Sequence, residues 1–192
     1  MTRLWWVRHG PTHAKTMVGW SDLPADLSDK AALARLSAYL PEDALILSSD
    51  LSRARATADA LEAGRGRLAD EPRLREMHFG DWELRSFAQV EADSPDRIRA
   101  FWERPGEVRP PGGESWHDLS GRVSDATDRL VAAHDGREIV IVAHFGPILA
   151  CLQRALDLPT DEVFAQRIEP LSVTEITQEA GAWSVGAVNY RP

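Results

Sequence analysis

Cysteine is almost absent from this chain. Cys151 is the only one, so no disulfide can form within the chain, and a reducing compartment is expected. Long apolar runs are also missing. Ahead of Arg8 only four consecutive apolar side chains occur, Leu4 to Val7. That is too few for the core of an export signal, and no stretch approaches the ~20 apolar residues of a membrane span. An excess of positive charge is the third absence. Lys and Arg number 22 against 30 Asp and Glu, a net charge of −8. That balance argues against a nucleic acid or an anionic membrane held by bulk electrostatics. The expectation is a soluble cytoplasmic protein with neither as partner.

What is present suits a single domain spanning 1–192. Of its 192 residues 43% are hydrophobic and 27% charged, enough for a sizeable core and too apolar for disorder. Two stretches stand out, Leu4-Trp5-Trp6-Val7-Arg8-His9-Gly10 and Ile139-Val140-Ile141-Val142-Ala143-His144-Phe145-Gly146-Pro147. A short, continuous apolar run fits a strand covered on both faces. Each of these runs delivers a histidine just past its last apolar residue, where ligands bind in an open parallel sheet.

The intervening segments alternate. Residues 10–28, punctuated by Pro11, Gly19 and Pro24, read as a loop. Ser28 or Asp29 caps a predicted helix to about Tyr39, with Leu33, Leu36 and Leu40 on one face. A strand over Ala44–Leu47 follows, then a helix capped by Ser52 and running to Leu61. Residues 67–115 lack strand patterning and read as a small helical cap insertion over the strand ends, too small for its own core. A long helix is predicted from about Trp116 to His134, a further one through Leu156, and a hairpin of Leu171–Thr177 with Trp183–Val188. The fold class is α/β: a three-layer α/β/α sandwich with a mostly parallel central sheet.

Arginine offers a planar fork of donors matched to phosphate oxygens, and neutral histidine is a nucleophile able to carry a phosphoryl group. Arg8, His9 and His144 fit that chemistry; the bland alternative is that the histidines merely end strands. Arg53 opens a helix behind a strand, where guanidinium and helix N-terminus can both address an anion. Leu74-Arg75-Glu76-Met77-His78-Phe79-Gly80-Asp81-Trp82-Glu83 supplies carboxylates. Other phosphatase and nucleotide chemistries lack their motifs. Asp157, not Arg, stands six residues after Cys151, and no Asp-x-Asp, no Gly-x-x-x-x-Gly-Lys and no Gly-x-Ser-x-Gly occurs.

These motifs resemble the histidine phosphatase superfamily, also called phosphoglycerate mutase-like. Arg8-His9-Gly10-Pro11-Thr12, Ser48-Ser49-Asp50-Leu51 with Arg53-Ala54, Leu74-Arg75-Glu76 with Phe79-Gly80 and Trp82-Glu83, Pro111-Gly112-Gly113-Glu114-Ser115, and Val142-Ala143-His144 fall in the family's order. The resemblance implies metal-independent hydrolysis of a small phosphorylated substrate through a phosphohistidine, with no cofactor. His9 would be the nucleophile. Arg8, Arg53, Thr12 and His144 would bind the phosphoryl group, and Glu76 would be the acid and base, with Glu83 as runner-up. Alpha-ribazole phosphatases and broad-specificity phosphatases are the branches most similar in length and motif. A mutase-like enzyme and a non-catalytic phosphate-ligand-binding protein are the competing readings, and a homodimer is left open.

The sequence departs from the family pattern at Lys15, Leu84 and Phe145, where members often carry Asn, Gly and Gly. These changes bear on loop shape and substrate range and remove no chemical group. Lys15 is expected at the surface. A helix through residue 13 would put His13 beside His9 in a metal-binding pair, whereas the loop reading parts them. Trp20 and Trp82 fall in segments expected around the site.

Overall fold

A computed structural model describes all 192 residues. Its centre is a six-stranded sheet in the order β3-β2-β4-β1-β5-β6. The strands are β1 (Thr2–Arg8), β2 (Leu45–Ser48), β3 (Gly66–Arg67), β4 (Glu138–Ala143), β5 (Val173–Glu179) and β6 (Ala182–Val185). β3, β2, β4 and β1 run parallel, and β5 and β6 close the sheet antiparallel. The hairpin turn is Ala180-Gly181, both at positive φ, the left-handed conformation such a turn needs.

Alternation along the central strands explains their unbroken apolar runs. Leu4 and Trp6 of β1 share a core with Ile139 and Ile141 of β4 and with α5 (Trp116–Ala133) and α6 (Phe145–Leu156). Trp5 and Val7 share the opposite core with Val140, Val142, α1 (Lys30–Tyr39) and α2 (Ser52–Leu61). With a helical layer on each face, the middle positions of β1 and β4, Leu4–Val7 and Ile139–Ala143, are all apolar. The expected three-layer sandwich is the architecture found.

Helix boundaries follow their caps. The Asp29 side chain accepts from the Ala32 amide at the start of α1. Ser115 and Asp118 form a reciprocal capping box at α5. One expected cap shifts. Ser52 does not cap α2; Leu51 holds that position, and the Ser52 amide donates to Asp22 Oδ1 at 2.7 Å. The carboxylate at that helix N-terminus is therefore the protein's own.

Residues 67–115 hold 3₁₀ turns at Pro72–Leu74 and Gly80–Trp82 and two short helices, α3 (Phe87–Asp93) and α4 (Pro95–Glu103). Trp82, Val90, Ile98 and Phe101 are buried in the same core as α5 and α6. A last short helix, α7 (Thr160–Phe164), precedes the hairpin. No helix is long and apolar enough to cross a membrane.

Candidate active site

Strand register brings the two histidines together. β1 pairs with β4 so that Arg8 lies opposite Ala143, and the His9 amide donates to the Ala143 carbonyl at 3.0 Å. His9 and His144 are each the next residue, and their rings lie 4.9 Å apart between centroids. β2 adds a third partner. Ser48 pairs with Val142, the Ser49 amide donates to the Val142 carbonyl, and Ser49 Oγ shares a 2.6 Å hydrogen bond with His144 Nε2. His144 is fully buried and its Nδ1 has no hydrogen-bond partner.

The tautomer of His9 follows from its neighbour. Nδ1 lies 2.6 Å from the Gly10 carbonyl, which can only accept, so Nδ1 carries the proton. Nε2 is left with its lone pair, and Arg53 Nε donates to it at 3.3 Å. Burial and the adjacent Arg53 charge push the His9 pKa down to about 3, which keeps the ring neutral and nucleophilic around pH 7. Burial, with the positive field of the site, likewise holds His144 well below the usual range.

Arg53 is almost wholly buried, and besides His9 it donates to the Gly19 and Ser21 carbonyls at 2.6 and 2.9 Å. Arg8 donates to the Ile168 carbonyl at 2.5 Å, and its guanidinium lies 5.5 Å from the centre of the Phe145 ring. Burial lowers the pKa of both arginines, yet a guanidinium starts so high that both stay charged. Arg8, His9, Thr12, Arg53 and Glu76 line one cavity of about 220 Å3, walled by Met17, Val18, Phe79 and Phe145. Wider hollows of about 310 to 510 Å3 elsewhere hold none of these five side chains.

The two candidate acids differ in kind. Glu76 reaches the cavity, and its Oε1 accepts from the amides of Met77 and Gly146 at 2.9 and 3.0 Å. Its Oε2 has no protein donor within hydrogen-bond distance. Burial raises its pKa against the opposing pull of those amides and of Arg53 and Arg8. Glu83 is partly buried, but hydrogen bonds from Ser21, Trp20, Gly19 and Phe79 outweigh that burial and lower its pKa. It ties the Gly19–Ser21 loop to the Phe79 turn and does not line the cavity. A carboxyl whose proton affinity is raised by burial suits proton transfer, whereas one saturated by donors suits a clamp.

Several supporting residues escape a reading of sequence. Arg122 of α5 donates to the carbonyls of Arg73, Arg75 and Glu76 and pairs with Glu114. Glu114 also accepts from the His78 amide. The Pro111–Ser115 motif is thus a backbone brace for the Glu76 segment. A Cβ on Gly113 would lie 2.4 Å from the His78 carbonyl, so its glycine is a packing requirement. Asp50 takes a two-pronged hydrogen bond from Arg75, whose guanidinium stacks over Trp20 at 4.8 Å. Trp20 in turn donates to the Glu76 carbonyl.

Other expectations resolve plainly. Lys15 is exposed. His13 bonds Asp26 at 2.8 Å instead of approaching His9. Trp20 and Trp82 both stand outside the cavity lining, Trp82 as core. Leu84, in a position where glycine was expected, sits at φ +60° and is half exposed.

The family profile of the histidine phosphatase superfamily (branch 1) matches residues 4–191. A bifunctional protein of Mycobacterium tuberculosis is 31% identical over 98% of this chain, which spans 54% of that relative's length. An adenosylcobalamin/alpha-ribazole phosphatase of Salmonella typhimurium is 32% identical over 87% of this chain and 86% of its own. A mycobacterial glucosyl-3-phosphoglycerate phosphatase of known structure superposes with a TM-score of 0.85 at 31% identity, covering 99% of each chain.

Proposed function

The chain belongs to the histidine phosphatase superfamily, branch 1, and from that premise we propose that it hydrolyses phosphomonoesters of small metabolites through a phosphohistidine on His9. The observation that carries the reading is the neutral His9 ring, its Nδ1–H held by the Gly10 carbonyl and its Nε2 turned to a cavity shared with Arg8, Arg53 and Glu76. His9 Nε2 attacks phosphorus as the ester P–O bond breaks. Glu76, protonated, gives its proton to the departing oxygen. Its carboxylate then takes a proton from water, which attacks the phosphohistidine and frees phosphate and His9. Arg8, Arg53 and Thr12, which line the cavity, hold the phosphoryl oxygens, whereas His144 is fully buried outside the lining and acts by packing against the His9 ring; the two guanidinium charges meet the negative charge of the transferring group.

The test is hydrolysis of p-nitrophenyl phosphate in EDTA by wild type and His9→Ala, with an alkaline quench to trap protein-bound phosphoryl label. Turnover and label in the wild type, both lost in a folded His9→Ala variant, are expected. Undiminished turnover by that variant removes His9 as nucleophile, and loss of wild-type turnover to EDTA removes metal independence.

A further inference from the structure

Beside the phosphate-sized cavity lies a second, smaller one of about 50 Å3. Six aromatic rings line it: Phe79, Phe101, Trp102, Trp116, Phe145 and Phe164. They form a belt of edge-to-face contacts, Phe101 to Trp102 at 4.9 Å and Trp116 to Phe164 at 4.7 Å between centroids, which favours a fixed shape. The one ionisable side chain in the lining is Glu76, and Glu76, Phe79 and Phe145 face both cavities. The Trp116 indole N–H is already spent on Gln153 Oε1 at 2.7 Å.

Resting on the reading of Glu76 as proton donor, we propose that this aromatic pocket selects the organic half of the substrate, favouring esters whose carbon chain is apolar and slim next to the ester oxygen. The oxygen that receives the Glu76 proton lies at the junction of the two cavities, so its attached carbons meet the aromatic lining. Apart from Glu76, which the reaction commits to the ester oxygen, the side chains lining the pocket are apolar or aromatic, so sugar-like hydroxyls there would lose water for little return, which disfavours them. The size limit follows from volume. A cavity of about 150 Å3 takes up a free benzene, so this pocket admits a short aliphatic segment and no complete ring. Phe145 is then a specificity-determining wall, facing Arg8 on one side and the pocket on the other.

The test compares propyl phosphate with glycerol phosphate, which share a carbon skeleton and differ by two hydroxyls. Wild type should show kcat/KM at least about tenfold higher for propyl phosphate, and Phe145→Ser should bring that ratio near one. Trp102 is partly exposed and outside the phosphate cavity, so Trp102→Ala should fold, and it should raise the benzyl-to-propyl phosphate ratio about tenfold. A wild-type ratio near one, or a benzyl-to-propyl ratio unmoved by Trp102→Ala, overturns the pocket's role, while hydrolysis of either alkyl ester leaves the phosphatase reading standing. Hydrolysis of none of these esters overturns both.

Discussion

Glu76 rests on the first turn of the helix that follows His144: its Oε1 lies 3.0 Å from the Gly146 amide, and a Cβ on Gly146 would stand 2.4 Å from that same oxygen. The glycine is what lets a carboxyl enter a helix N-terminus here. The atoms a Cβ would meet, Glu76 Oε1 and Leu119 Cδ1, are both ends of flexible side chains. Gly146→Ala should therefore fold, with the gain in helix propensity of up to ~1 kcal/mol offsetting local crowding. It should also push Glu76 out of register and cut kcat about tenfold to a hundredfold. Thermal melts beside steady-state kinetics check both halves; unchanged kcat would show that Glu76 needs no such seat.

Replacing the two carboxyls separates an acid from a clamp. Glu76→Gln should slow hydrolysis of alkyl phosphates by about 10²–10⁴ and that of p-nitrophenyl phosphate far less, since nitrophenolate leaves without a proton. Glu83→Gln should instead lower stability by about 1–3 kcal/mol, because buried amides lose a charged acceptor. Kinetics on both ester types and denaturant unfolding distinguish them. A leaving-group-dependent loss in the Glu83 variant would reverse the assignment.

His9 is expected to stay uncharged far below the ordinary histidine range. Its folded pKa of about 3 lies below the unfolded value near 6.5. Between those limits the unfolded chain binds more protons at this position, so its contribution to stability is full above pH 6.5 and is lost as pH falls toward 3. In histidine-labelled protein the His9 ring signal should not titrate from pH 8 to pH 5. A midpoint near 6.5 would contradict the burial argument.

Arg122 is expected to matter for stability and geometry together. Arg122→Ala removes a donor from three carbonyls and from Glu114, of which the Glu76 carbonyl keeps the Trp20 indole and Glu114 the His78 amide, and should cost about 1–3 kcal/mol. Arg122→Lys should not restore it, because a point charge cannot span the carbonyls and the carboxylate at once. Urea unfolding of the two variants checks this.

Leu84 adopts a backbone conformation that L residues avoid, with its side chain half exposed. Leu84→Gly should raise stability by about 0.5–1 kcal/mol, the relief of strain exceeding the entropy lost from a freer unfolded chain. A lowered melting temperature would mean that the exposed leucine packs better than its surroundings indicate.

The sequence by itself determined the layers and the strand ends. Apolar runs closing on Arg8-His9 and His144 have few solutions other than strands covered on both faces, and the α1 and α5 helices could be read from apolar spacing and cap residues. The tertiary structure decided what one dimension does not encode. Glu76 and Glu83 lie seven residues apart with equal chemistry in the sequence. Only the fold gives Glu83 its several donors and leaves one Glu76 oxygen without any. Ser52 looked like a cap because the competitor, Asp22, arrives from a loop thirty positions earlier. Arg122 carries no local signal, and Glu114 and Ser49, though they fall in matched motifs, show no role there, since their partners lie on other elements. Propensity and periodicity act between near neighbours, whereas burial, hydrogen-bond saturation and the resulting proton affinities arise only when distant segments pack together.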